Sequence, residues 1–261
     1  AIDLTVNRPS YEIDGRKVKK QSVLDYIENN DITSEELADL DIKIKNDDEL
    51  LNKVENIQNR ATIDKHLDPS ISKEKRDKII DLELERQELK LKIKEQGENK
   101  IVDTQDKLKN IELKIKDVLK DVEGVTLEDT EIAVQTGVKE FAVKRGVAFA
   151  KKYARFYDLD VNELKDQAAV DKYAKDNKLS EQEINQLNTA GYVNETTGEI
   201  IINRQKAMQL NDINVGNHEL LHAILRKAVR QGKIGKDLIK NIESKYSNVL
   251  NKRLKNYKKL I

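Results

Sequence analysis

The chain reads as a mostly α protein with a small β element: a long helical hairpin arm over residues 1–124, then a compact α+β domain over residues 125–261. Three observations lead there. No aromatic residue stands between Tyr26 and Phe141, whereas nine stand from Phe141 onward. Charge divides at the same place: residues 1–124 carry 24 basic and 30 acidic side chains, net −6, so the remainder of this neutral chain is net +6. The best strand candidate, the β-branched run Glu199-Ile200-Ile201-Ile202-Asn203, lies in the second part. The boundary falls near Gly124.

The first part opens with a polar, irregular arm around Pro9, where Lys17, Lys19 and Lys20 form a small solvated cluster. A helix starts near Thr33, since Thr33 and Glu36 can form a capping box. Its apolar positions Leu37, Leu40, Ile44, Leu51 and Val54 fall three, four or seven residues apart. Asp68-Pro69-Ser70 breaks the pattern and starts another helix. Ile79, Leu82, Leu89 and Ile93 mark one face of that helix. After a polar turn at Gly97, Ile101, Leu108, Ile111, Ile115, Val118 and Val122 repeat with heptad-like spacing. The two helices should pair as an antiparallel coiled-coil hairpin, whose aliphatic seam explains the missing aromatics. The arm offers no chemistry and reads as a spacer or a surface for protein assembly. His66, beside Asp68 and Pro69, is expected in an exposed loop rather than at a metal.

The second part begins with an amphipathic helix over about residues 128–156, with Phe141, Phe149 and Phe156 as anchors. Asp160-Val161-Asn162-Glu163 and Ser180-Glu181-Gln182-Glu183 both resemble helix starts. Thr196-Thr197-Gly198 is a turn signal, so a hairpin from Tyr192 to Asn203 is expected. The strand from Glu199 to Asn203 either offers an edge on which an extended peptide could pair or closes the core. A further helix is capped near Asp212 or Asn214, and another follows Gly232 and Gly235. The basic residues Lys252, Arg253, Lys255, Lys258 and Lys259 read as a solvated helix face, with binding to an anionic surface as the minor alternative.

Composition excludes several classes. Net charge is zero with 37% charged residues, which argues against a general nucleic-acid binder. Cysteine is absent, so disulfides and thiolate zinc sites are excluded. No 18-residue apolar run provides a membrane span, and Ala1-Ile2-Asp3-Leu4 does not resemble a secretion signal. An intracellular or virion-associated location is expected. The absent starting Met fits removal before a small residue, and equally excision from a longer precursor.

The chemistry concentrates in His218-Glu219-Leu220-Leu221-His222. This is H-E-x-x-H, the signature of zinc-dependent peptidases. On a helix, residues four apart share a face, so both imidazoles can reach one Zn²⁺, with Glu219 beside the first. At about 100° per residue, Leu220, Leu221, Ile224, Leu225, Ala228 and Val229 form an apolar arc. The histidines lie at its edge, and Glu219, Arg226, Lys227 and Arg230 lie on the polar arc.

A catalytic zinc usually has three protein ligands. Leu225 and Ala228 replace the glycine and histidine of the longer metzincin pattern, so the third ligand must be a downstream acid: Asp237 or Glu243. Glu243 shares a stripe with Ile239, Tyr246 and Leu250 and is the stronger candidate. Asp237, in the first turn of the last helix, is already explained by the helix dipole. Tyr246 either points at the cleft to stabilise an oxyanion or packs in the core.

A strand ending in Ile202-Asn203, a capped helix bearing His218, Glu219 and His222, and a helix with Glu243 together resemble the zincin superfamily, and its gluzincin branch in particular. The resemblance covers roughly residues 190–250. It implies a zincin-like domain with a small sheet, an edge strand along the cleft and the motif helix behind it. It further implies a Zn²⁺ cofactor held by His218, His222 and Glu243, with Glu219 as general base. The implied activity is that of a metalloendopeptidase, hydrolysing peptide bonds of a protein substrate with a zinc-bound water. One departure stands out: the segment reads Asn241-Ile242-Glu243-Ser244-Lys245, without the Asn-Glu pair and following Ser-Asp of thermolysin-like members. The long helical arm joined to such a domain also resembles phage virion-associated proteins. That resemblance implies an assembly protein whose zincin domain is inert or self-processing.

Overall fold

The computed structural model describes residues 8–29, 31–95, 101–194, 197–230 and 232. Helices dominate, and two three-stranded sheets accompany them. The chain forms two units, Ala1–Ala142 and Val143–Ile261. The division falls inside one long helix, not at Gly124, because the first half of that helix packs with the elements before it.

In the first unit, β1 (Ser10–Ile13) and β2 (Arg16–Val18) form a hairpin. Its turn, Asp14-Gly15, has positive φ at both residues, matching the right-handed strand twist. The expected irregular arm is therefore ordered, and Asp-Gly was the signal for it. After α1 (Lys20–Ile27), the single helix expected from Thr33 resolves into α2 (Ser34–Asp39), β3 (Ile42–Lys45) and α3 (Asp48–Asp64). The Thr33–Glu36 capping box forms as expected. Leu40 is extended and ends α2; Ile42 and Ile44 then alternate with lysines, pairing β3 antiparallel with β1. Asp47 caps α3 by accepting from the Leu50 N–H. Ile13, Val23, Ile27, Ile44, Leu50 and Val54 share a small core.

The helices α4 (Lys73–Glu95) and α5 (Ile101–Leu119) pair antiparallel, since Lys75 reaches Asp121 and Arg86 reaches Glu112. Ile79, Leu82, Ile111, Ile115 and Val118 are buried together, as their spacing predicted. Leu89 and Val122 pack against them. The first half of α6 (Leu127–Ala154) adds Ala133 and Val134. Arg86 lies within this layer, 6% exposed, beside Glu83 at 0%. Its guanidinium donates to Glu83, Glu112 and Glu131 at 2.8–3.3 Å, and the Thr130 hydroxyl is 3.2 Å from Glu83. Burial still pushes the Glu83 carboxyl above its ordinary value. His66 is not an exposed loop residue: its Nε2 lies 2.7 Å from Glu140, and Lys65 donates to the same carboxylate. Glu140 is 8% exposed, so its charge needs these partners.

The second unit holds the rest of α6, a 3₁₀ turn (Arg155–Tyr157), β4 (Val161–Leu164), α7 (Gln167–Asp176), α8 (Glu181–Gln186), β5 (Gly191–Val193), β6 (Ile200–Asn203), α9 (Arg204–Gln209) and α10 (Val215–Arg230). Asp160–Glu163 opens a strand, not a helix. Val161 pairs in parallel with Ile200, and the next helix is capped at Asp166. The Ser180 capping box forms as expected. Phe149 and Phe156 are not anchors: Val143, Val147, Ala150 and Ala154 face the core instead, and both phenylalanines are exposed.

The sheet order is β4-β6-β5. The expected hairpin is present as β5 and β6. However, β6 is the central strand and β5 an edge. All four residues of β6 are buried, as befits a run apolar on both faces. Among the described residues, no helix is long and apolar enough to cross a membrane.

Candidate functional site

The motif helix α10 starts directly after Asn214 and meets α6 two residues before His218. There the backbones touch: a Cβ on Gly216 would lie 2.2 Å from the Gly146 carbonyl oxygen. On the other side, Val215 and Glu219 press against β5. A Cβ on Gly191 would come within 2.7 Å of Val215 and 3.0 Å of the Glu219 side chain. Two missing side chains thus fix where the first turn of α10 sits and how it is rotated.

That rotation differs from the helical-wheel expectation. Val215, Gly216, Glu219, Leu220 and Ala223 are buried, whereas Leu221, Leu225 and Val229 are 57%, 39% and 46% exposed. Glu219 moves from the expected polar arc to the inner face at 8% exposure, and the histidines move outward. The close approach of Gly216 to Gly146 and the space left by Gly191 set this rotation, which a helical wheel does not contain.

The histidines converge. His218 Nε2 and His222 Nε2 lie 3.1 Å apart, and His218 Nδ1 lies 3.0 Å from Glu219 Oε1. With Glu219 ionised, His218 Nδ1–H donates to it. The His218 Nε2 lone pair then accepts from His222. Two nitrogens bound to a tetrahedral zinc at about 2.05 Å would stand about 3.3 Å apart, close to the separation present. The pair offers two of the three protein ligands that a catalytic zinc usually takes, with a buried carboxylate orienting one of them. Among the described residues, no group of three His, Cys, Asp or Glu could hold a metal. Glu243, Asp237 and Tyr246 lie outside the described residues.

A cleft of about 280 Å³ adjoins this cluster, with Gly191, Tyr192 and Val193 of β5 on one side and Glu219, His222 and Arg226 on the other. The residues flanking β5 continue its ladder, with Asn203 N–H donating to Ala190 O and Asn194 N–H to Glu199 O. The alternation of an antiparallel ladder therefore turns the peptide groups of Gly191 and Val193 toward the open edge. Arg226 donates to the Val193 carbonyl across that edge at 3.3 Å. The Tyr192 ring packs on the other face of the sheet, with Leu164, Val170, Leu187 and Ile201, and burial there raises its phenol above its ordinary value.

Arg226 and the edge role of β5 were missed in the sequence. The short strand after Ala190 carries little β-branched signal, although Arg226 could have been found one turn beyond His222. His66, in the other unit, belongs to the Glu140 pair. Compared with family models, curated proteins and solved structures, the chain finds no match.

Proposed function

We propose that the chain is a zinc-dependent peptidase acting on an extended segment of a protein substrate. The observation that carries this reading is the approach of the two Nε2 atoms to 3.1 Å beside a buried carboxylate at the wall of a cleft. His218 and His222 would hold the metal, with Glu243 proposed as the third ligand. Bound zinc would supply a Lewis acid for the scissile carbonyl and lower the pKa of water toward about 7. Glu219 takes a proton from water in the cleft and passes it to the leaving amine. The outward N–H groups of Gly191 and Val193, whose carbonyls already accept from Thr189 and Arg226, align the substrate backbone by strand pairing.

A second reading, an assembly protein whose zincin-like domain is inert or self-processing, draws support from the first unit. Its Arg86 cluster is buried and paired, as in a structural element rather than a site. Metal analysis and peptide cleavage separate the two. The peptidase should carry about one zinc per chain and cut an unfolded protein such as casein, with activity lost to chelator and restored by zinc. Zinc bound with no cleavage of any added or fused substrate supports the assembly reading. Full zinc content in a His218→Ala/His222→Ala variant refutes the site.

A further inference from the structure

The half of α6 that belongs to the second unit has two unlike faces. Val143, Val147, Ala150 and Ala154 are buried in the core. The opposite face, continued by the 3₁₀ turn, exposes Phe149 at 45%, Tyr153 at 37%, Phe156 at 76% and Tyr157 at 43%. These are four of the chain's eleven aromatic residues, eight Tyr and three Phe. Large rings left in water at one place mark a surface that something covers. They form a ladder: the Phe149 and Tyr153 centroids are 4.3 Å apart, and those of Tyr153 and Phe156 are 6.1 Å apart. The Lys152 ammonium lies 5.5 Å over the Tyr153 ring.

Charge identifies the occupant. The stretch Lys144–Tyr157 holds five basic residues and no acid, in a chain of zero net charge. Lys151 is engaged with Glu163, but Lys152 and Arg155 are exposed beside the rings. The partner must therefore present negative charge together with flat apolar faces. An interfacial membrane helix sets a broad face of aromatic and aliphatic side chains apart from its cations, whereas here Lys152 stands over the Tyr153 ring. Here the exposed aliphatic contribution within the stretch is Ala148. Single-stranded nucleic acid matches both demands, because its bases stack on rings while its phosphates meet cations.

We infer that this face of α6 is a platform for single-stranded nucleic acid, with bases stacking on Phe149, Tyr153 and Phe156 and phosphates meeting Lys152 and Arg155. It stands apart from the His218 cluster and does not depend on the peptidase reading. The overall charge balance hides it, since neutrality is an average and binding is local.

The test is fluorescence anisotropy of the full chain with a labelled oligothymidylate of about twenty nucleotides, with and without chelator. Binding should be unaffected by chelator. It should weaken by roughly sevenfold between about 50 and 200 mM salt, as two phosphate contacts on a single strand require. Phe149→Ala/Phe156→Ala should reduce affinity by at least about tenfold, whereas Phe149→Tyr/Phe156→Tyr, which keeps the rings, should stay within about twofold. Lys152→Glu/Arg155→Glu, lying wholly on the surface, provides a second test should the alanine variant fail to fold, and should abolish binding. Three outcomes overturn the inference: no binding by wild type at low salt, binding indifferent to ring and charge variants, or capture by phosphatidylserine vesicles in place of the oligonucleotide.

Discussion

The Arg86 cluster of the first unit and the His218 cluster of the second are both built from ionisable side chains on helices, yet they are opposites. Around Arg86, three carboxylates surround one guanidinium, at 6% exposure for the arginine and 0% for Glu83. Every donor direction used there ends on an acceptor of the same unit. Around His218, two ring nitrogens aim at one point while the His218 side chain is 60% exposed beside a cleft. The first arrangement satisfies itself and leaves nothing for a ligand. The second brings two imidazole nitrogens together at a point that solvent can reach. Burial of charge is thus no sign of function by itself; convergence of donor atoms on an accessible point is.

The comparison breaks most severely at Arg86. Arg86→Met leaves Glu83 buried without its cation and should cost about 3–5 kcal/mol, read as a fall in the urea midpoint. Glu83→Met/Arg86→Met, which removes the buried pair, should recover much of that loss, because the charge left uncompensated is the penalty. A single variant as stable as wild type would mean that the cluster is hydrated and not structural.

At the second cluster the expectation is reversed. Glu219→Gln should leave stability and zinc content near wild type and reduce cleavage by at least ~10²-fold. Loss of zinc in that variant would make Glu219 a ligand and overturn its role as base.

Gly216→Ala sharpens the comparison from the backbone. Its Cβ would meet the Gly146 carbonyl oxygen at 2.2 Å, so α6 and α10 must move apart. Overpacking of this kind costs about 1–3 kcal/mol, and the motif helix should shift with it. A melting temperature and a zinc affinity both unchanged would show that the helix crossing does not position the histidines.

The pH response gives a finer test. Burial, outweighing Arg86, raises the folded Glu83 carboxyl above its ordinary 4.5. A raised pKa means that the folded state favours the protonated form. The contribution is complete below about 4.5 and is lost as pH rises through the folded value. Glu83→Gln, which cannot ionise, should therefore gain stability relative to wild type as pH increases from 4.5. Parallel unfolding curves for the two proteins across that range would remove the assignment. The smallest effect is expected at Ser180→Ala, which deletes one half of the α8 capping box and should cost about 1 kcal/mol; a loss below the error of chemical denaturation would count against the cap.

Local rules recovered much of this protein from its sequence. Thr33–Glu36 and Ser180–Glu183 cap helices because their bonds close within four residues. The Ile79–Leu82 and Ile111–Ile115–Val118 seams pair because one helical face repeats its apolar residues. The turn before Glu199 and the i, i+4 spacing of His218 and His222 are equally local. The failures share a different cause. Whether Ile42–Lys45 continues a helix or adds to β1, and whether Val161 opens a helix or pairs with Ile200, depends on a partner distant in the chain. The same holds for the rotation of α10. No local pattern around Glu219 says that it faces inward; the contact of Gly216 with the distant Gly146 and the space left by Gly191 decide that. Sequence determined which side chains could act together, because helical periodicity is a property of the chain. Only the tertiary structure decided which of them face a cleft, because orientation is set by what packs on the other side.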